Sequence, residues 1–526
     1  MAHTLRGVPR RKLAPVIAMA ASALTALSVV SCSSGASGST DTAANKDATL
    51  KVVQGATPNQ FDPCGTANGS ETTSMNLIYA PLIRGNPATG ELSPGLATSW
   101  KFSDDSLSLT LTLQEGLTFQ DGTPLNASTV AESLNQCLAL GSQTVDEIES
   151  VKAEGTKTLV FHLNAPNAGL PEILSSRLGL IASPAAREKE GTAFGSKPVG
   201  AGPFTLETFT PGSTISLKRW TGYKEAGVPA PKVAAIEISI ITDPSAQVAA
   251  LSGGQADFAF SLNSTAAKTL KDTPGVTFDS YLGVSVADLN IDRSHGPLAD
   301  VRVRQAISYA IDRKALAEVG TDGLSDVGSV QPYPPGHPYY DKGLASTYDY
   351  NPKKAKQLLA DAGYPNGLKL NGVGLDGAIY VNNGIVIADQ LAKVGIDVTF
   401  EAKALPEATK SFYTDHKYDL MSTGMNSGPD WYSIYRRLLT TSSAGNAGHV
   451  PLDGGNEAVA ALGASKDQDE LNANIKAANK VYQAELPIIP LFYNPISVAW
   501  TDKVDNAKSA LAINGQPDLA ALSIKQ

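Results

Sequence analysis

The stretch LSPGLATSWKFSDDSLSLTLTLQEGLTFQDGTPLNASTVAESL, residues 92–134, contains the two patterns that decide the fold. In its middle, Leu107, Leu109, Leu111 and Leu113 alternate with Ser and Thr, so residues 106–114 read as a strand with one buried face. After a Phe-Gln-Asp-Gly turn, residues 126–140 (NASTVAESLNQCLAL) change to helical spacing behind a polar start. A second strand pair follows in IESVKAEGTKTLVFHL, residues 148–163, turning at Glu154-Gly155. Together these segments predict a β-rich subdomain centred on residues 90–165.

On the N-terminal side, ATLKVVQGA (residues 48–56) opens another strand pattern. On the C-terminal side, from about residue 240, strands and helices alternate. IEISIITDPSAQVAALSGGQADFAF, residues 236–260, reads as strand, helix, glycine stop, strand. In PLADVRVRQAISYAIDR, residues 297–313, the positions Leu298, Val301, Ala306, Ile307, Ala310 and Ile311 fall near one helical face. In NPKKAKQLLADAGY, Asn351 is placed to cap, Pro352 stands first in the helix and Gly363 ends it, with Ala355, Leu358, Leu359 and Ala362 on one side. A helix at 385–395 leads into a strand at 396–402, and YDLMSTG (418–424) and PIIPLFYNP (487–495) read as buried strands. The class is α/β. No internal repeat and no Pro/Gly-rich linker separates the parts, which implies a chain that crosses between lobes more than once and leaves a cleft.

The first 31 residues read as a leader. Arg6, Arg10, Arg11 and Lys12 come without an acid, residues 13–30 carry no charge, and VVSC ends the run at Cys32. VVSC resembles a bacterial lipobox, whose cysteine becomes a diacylated N-terminus; two acyl chains are what a lasting anchor needs. The adjacent Arg10-Arg11 leaves both Sec and twin-arginine export open. Residues 32–48 read as a flexible tether. Cleavage before Cys32 leaves 495 residues, enough for two or three lobes, and takes the net charge from −9 to −13. An acidic chain is a poor partner for nucleic acid or for anionic lipid, so the expected link to a membrane is the lipid alone. Cys64 and Cys137 form an even pair in an exported protein, which suggests a disulfide; two separate buried thiols are the alternative.

The chemistry-bearing motifs are few. The chain holds no nucleotide loop, no G-x-S-x-G and no H-E-x-x-H, and its six histidines (3, 162, 295, 337, 416, 449) are scattered, so neither a metal nor a cofactor is expected. Carboxylates are plentiful without a signature, which leaves an exported hydrolase open. Ligand-type clusters occur where strands end. MNSGPDWYSIYRRLL (425–439) follows the strand at 418–424: Asn426, Gly428 and Asp430 shape a turn and cap, while Trp431 and Tyr432 offer flat rings. Tyr493 and Asn494 close a second strand. Either aromatic could instead plug a core.

The opening stretch resembles the long signature of the family 5 extracellular solute-binding proteins of ABC importers, the dipeptide and oligopeptide binders. VGAGPF (199–204), PLADVRVRQAISYAIDR, NPKKAKQLLADAGY and PIIPLFY follow in that family's order, so the resemblance spans about residues 49–503. It implies a two-lobed periplasmic-binding fold (class II, cluster C) with an extra β-rich subdomain. Lobe I would comprise residues 49–290 and 497–526, with the subdomain at about 76–199, and lobe II residues 291–496. It further implies a non-enzymatic, monomeric protein, lipid-tied outside the cytoplasmic membrane, that shuts on a peptide or other small solute and hands it to permease subunits. Family peptide binders carry an aspartate four residues before the proline here numbered 429, where it holds the peptide ammonium group. That position is Met425, and Asp430 is the nearest acid. Sugars, metal chelates and siderophores are therefore alternative solutes.

Overall fold

A computed structural model describes residues 45–65, 69–86, 89, 91–141, 145–325, 331–426, 431–443, 445–512 and 514–526. The segment expected as a leader, Cys32 and most of the expected tether lie outside the described residues. Residues 43–526 form one compact unit.

A ten-stranded mixed sheet runs through that unit. In chain order its strands are β1 (Thr49–Gln54), β6 (Phe204–Thr210), β7 (Thr214–Arg219), β8 (Ala235–Ile240), β9 (Phe258–Phe260), β10 (Val276–Ile291), β11 (Leu368–Leu375), β12 (Ile396–Lys403), β13 (Leu420–Asn426) and β14 (Ile488–Thr501). Their spatial order is β6-β7-β8-β1-β9-β14-β10-β13-β11-β12. The subdomain has its own antiparallel sheet of β2 (Ala97–Phe102), β3 (Ser108–Leu113), β4 (Ile148–Glu154) and β5 (Thr158–Leu163), ordered β2-β3-β5-β4.

The leucine alternation builds β3 as expected at three of its four positions. Leu109, Leu111 and Leu113 are buried, each removing a side chain from water for about 2 kcal/mol. Leu107 precedes the strand and is 39% exposed, because Ser106 at φ 59° turns the chain before pairing begins. The hairpin of β4 and β5 turns through Gly155 at φ 77°, a conformation that costs glycine no steric clash. Helix α1 (Ala127–Ala139) starts at Asn126, whose side chain accepts from the amides of Ser128 and Thr129 while the Thr129 hydroxyl accepts from the Asn126 amide.

The same local rules set the helices beyond residue 290. Helix α2 (Val301–Ala310) is capped by Asp300 and buries Val303, Ala306, Ile307 and Ala310; Val303, not Val301, completes the inner face, because the helix begins only at 301. Helix α3 (Pro352–Asp361) is capped by Asn351 and buries Ala355, Leu358 and Leu359. With helix α4 (Ala378–Ala392) these cover one side of β10, β11 and β13. Arg313 is buried beneath them and donates to the carbonyls of Pro490, Ser308 and Tyr348 and to the Ser308 hydroxyl, so its charge is shared among four acceptors.

Three apolar clusters dominate. One lies under the sheet end formed by β1 and β7–β9, one under β10–β13 with α2–α4. The third joins the subdomain to the helices α5 (Trp431–Leu439), α6 (Gly455–Gly463) and α7 (Gln468–Glu485). Cys64 and Cys137 are disulfide-bonded, tying the loop after β1 to α1 of the subdomain.

Candidate functional site

The two longest strands place the site. β10 pairs with β14 from Val276↔Thr501 to Leu282↔Pro495, then again from Val286↔Tyr493 onward. Residues 283–285 therefore face Asn494 alone, and register is lost. On one side of this break β14 holds β9 through Phe258↔Trp500, and on the other β10 holds β13 from Ser285↔Asn426 to Ile291↔Leu420. Two continuous strands thus carry the chain past the break. The sequence-expected boundaries at 290–291 and 496–497 fall within β10 and β14.

The same registers aim strand ends at the break. β9 runs antiparallel to β14 and ends at Phe260, and β1 and β8 run parallel beside it, ending at Gln54 and Ile240. From the opposite side β13 ends at Asn426, and β11, parallel to it, at Leu375. Carboxyl ends of both half-sheets thus converge on one crevice, the usual place for a ligand in an α/β sheet.

The lobe I wall is built from Gln54, Gly55, Gln247 and Ser261. Gly55 donates to the Phe260 carbonyl, and a Cβ there would lie 2.0 Å from the Ser261 carbonyl oxygen, so only glycine fits. Ser261 holds φ 54°, the left-handed region that non-glycine residues seldom adopt. Gln54 and Gln247 each donate to a backbone carbonyl, Ser70 and Ile241, and each leaves a buried Oε1 without a partner.

The residues expected from sequence belong to two segments, 426–432 and 493–494. Gly428 and Asp430 lie outside the described residues, and of Asn426 the backbone pairing with Ser285 is described. Trp431 is 0% exposed and Tyr432 is nearly so: α5 turns Trp431, Ile434, Tyr435, Leu438 and Leu439 inward at helical spacing, so its first residue belongs to the core. Tyr493 is also buried, its hydroxyl donating to the Tyr333 carbonyl at 2.6 Å. None of these rings offers the exposed flat surface expected from sequence. Asn494 does stand at the crevice, donating to Ser285 Oγ at 3.0 Å and keeping an unpartnered Oδ1. Met425, at the place of the family carboxylate, is buried among apolar side chains.

Beside β13, β10 carries a buried acid. Asp288 is fully buried on β10, opposite Thr423; Asn290 Nδ2 donates to its Oδ1 at 2.7 Å and Oδ2 has no partner. Burial pushes its pKa up to about 7, against a smaller opposing pull from Arg437. Above Tyr493, the loop after residue 330 stacks Tyr333 on His337 at 4.3 Å, and burial takes His337 down to about 4. Among the described residues no group of three His, Cys, Asp or Glu side chains could hold a metal ion, and no helix is long and apolar enough to cross a membrane.

Comparison with known proteins agrees with this architecture. The family model "Bacterial extracellular solute-binding proteins, family 5 Middle" matches residues 91–447. The chain belongs to that family. Among relatives of this family 5 protein, the glutathione-binding protein GsiB of Escherichia coli O1:K1 is 31% identical over 321 residues, 60% of this chain and 62% of the relative. GsiB of E. coli K12 is 29% identical over 329 residues, 62% and 63% of the two chains. The family 5 protein thus aligns with somewhat under two thirds of these relatives' length. Its fold is that of AgaA from A. tumefaciens R10, solved with agropinic acid (TM-score 0.79, 23% identity, 91% of this chain and 99% of that one). DppA from Helicobacter pylori, solved with peptide STSA, is equally similar (TM-score 0.78, 23% identity, 91% and 99%). NikZ from Campylobacter jejuni, solved with Ni(L-His), shares the fold at 20% identity (TM-score 0.76, 90% and 99%). The two-lobed binding fold expected from sequence is the fold observed.

Sequence reading missed Gln54, Gln247, Ser261, Ser285 and Asp288. Each is an ordinary polar residue in an ordinary segment, and only the convergence of strand ends gives it a place.

Proposed function

We propose that this family 5 protein is the solute-binding component of an ABC importer and captures small peptide-like solutes in the crevice between its lobes. The observation that carries the reading is the convergence of carboxyl strand ends from both half-sheets on one break in β10–β14 pairing. A ligand touching both walls favours the shut form by its differential affinity. Lobe I, with residues 49–290 and 497–526, would rock against residues 291–496 on the two strands. Asn426, Gly428, Asp430 and Asn494 would meet the solute, with Gln54 opposite. Similarity to glutathione-binding relatives makes reduced glutathione the first probe. Export behind the leader and acylation of Cys32 would keep the protein beside its permease.

A second reading, a non-peptide solute, is favoured by Met425. An apolar side chain stands where peptide-binding relatives hold an ammonium group, so that group needs another partner or is absent. Calorimetric titration with reduced glutathione, di- and tripeptides, an opine and an oligosaccharide separates the readings. Micromolar or tighter binding of a peptide member is expected. Binding confined to the sugar or opine would overturn the peptide reading, and silence across the panel would remove both.

A further inference from the structure

The subdomain meets α5 and α6 along a seam that joins residues nearly 300 positions apart. Two subdomain loops, 145–147 and 164–171, form one side. The Arg436 guanidinium pairs with the Asp146 carboxylate and lies 3.7 Å from Glu147 Oε1. The Tyr432 hydroxyl donates to Glu147 Oε1 at 3.2 Å, and the Ala168 amide donates to the Gly463 carbonyl at 2.9 Å. The fit is close enough to require glycine on both sides. A Cβ on Gly169 would lie 2.5 Å from Tyr432 Cβ, and one on Gly463 would lie 2.5 Å from the Pro166 carbonyl oxygen.

The seam is also incompletely satisfied. Glu147 Oε2, Asn167 Nδ2 and Trp431 Nε1 are buried with no hydrogen-bond partner. Each loses water without gaining a protein partner, a cost that is recovered when the surfaces part. An ion pair, a hydroxyl bond and a main-chain bond thus pull the surfaces together, while three orphaned polar atoms push them apart. The three orphaned atoms lower the cost of parting these surfaces, and the ion pair and two hydrogen bonds oppose it.

We propose that this seam is a latch in which Asp146 and Glu147 of the subdomain grip Tyr432 and Arg436 of α5, setting how long the shut form persists. The proposal rests on the solute-binding reading. The seam joins the subdomain, counted with lobe I, to α5, counted with lobe II, so it makes and breaks with the opening and shutting of the crevice. Arg436 and Tyr432 act through α5 as positioning residues.

Two measurements on the full chain test it. Amide hydrogen exchange without added ligand should show Arg436→Ala raising exchange in 164–171 and in α5 together, with β6–β7 unchanged. Asp146→Arg should do the same, and Asp146→Arg with Arg436→Asp should restore both. If segment 164–171 keeps its protection in Arg436→Ala, there is no latch. In stopped-flow release of reduced glutathione, Arg436→Ala should dissociate about fivefold faster at an unchanged association rate, with rescue in the swapped pair. Raised exchange with unaltered release would make the seam merely structural and overturn the proposal. If the unaltered protein takes no glutathione, the ligand reading fails separately, and the exchange result with its charge-swap rescue still decides the latch.

Discussion

Asn494 donates its side-chain amide to Ser285 Oγ at 3.0 Å, at the wider of the two places where β10 and β14 lose their register. The bond spans the two longest strands of the sheet. No main-chain pair exists at that level, so this side-chain pair is what ties the crossing.

Replacing Asn494 with Ala should therefore act on the angle between lobes more than on stability. One side-chain hydrogen bond is worth about 1 kcal/mol, and the flanking pairs remain. Small-angle scattering without ligand should give a larger radius of gyration or a broader distance distribution. An unchanged profile together with a lowered melting temperature would show that the pair only supports the fold.

Asp288 should make stability fall as pH rises. Its pKa is raised by burial to about 7 in the folded chain against 3.8 ordinarily. The folded form therefore holds the proton more tightly, and the gain is complete below about pH 3.8 and lost as pH climbs to about 7. Asp288→Asn keeps an acceptor for Asn290 and removes the titration. Its stability relative to the unaltered protein should improve by on the order of 4 kcal/mol between pH 4 and pH 8. Denaturant unfolding across that range checks it, and a pH-independent difference between the two proteins would count against a buried ionising carboxyl.

His337 should work in the opposite direction. It stacks on Tyr333, accepts the Tyr339 amide at Nδ1, and is held down to about 4 by burial. The unfolded chain binds the proton first, so this stabilisation is present above about pH 6.5 and fades as pH drops toward 4. His337→Phe should flatten the melting profile in that window. A profile of the same slope would place the acid sensitivity elsewhere.

Removing the disulfide as Cys64→Ser with Cys137→Ser should cost about 2–4 kcal/mol, since the bond closes a long loop between the segment after β1 and the subdomain. Thermal melting of the double variant, beside the reduced native protein, is the check. Equal stability in all three would mean that the surrounding core alone holds the junction.

Much of the fold is legible locally. The alternation at Leu109, Leu111 and Leu113, the caps at Asn126, Asp300 and Asn351, and the turn at Gly155 each become what their pattern states, because the causes lie within a few residues. Where one local feature disturbs another, the reading slips: Ser106 at positive φ releases Leu107 from its strand, and the start of α2 at residue 301 hands the inner face to Val303. The rings of Trp431 and Tyr493 were legible as aromatics at strand and helix ends, and their burial was not.

From sequence alone come the α/β class, the family signature across residues 92–134, the acidic charge and the basic, then uncharged, run before Cys32. These rest on short-range spacing and composition. Tertiary structure alone decided that Asn494 meets Ser285 where strand pairing breaks, that Asp288 is buried with a free oxygen, and that Asp146 reaches Arg436. Such pairs lie up to several hundred residues apart, and their energy depends on strand register and helix packing. No periodicity in the chain encodes either one.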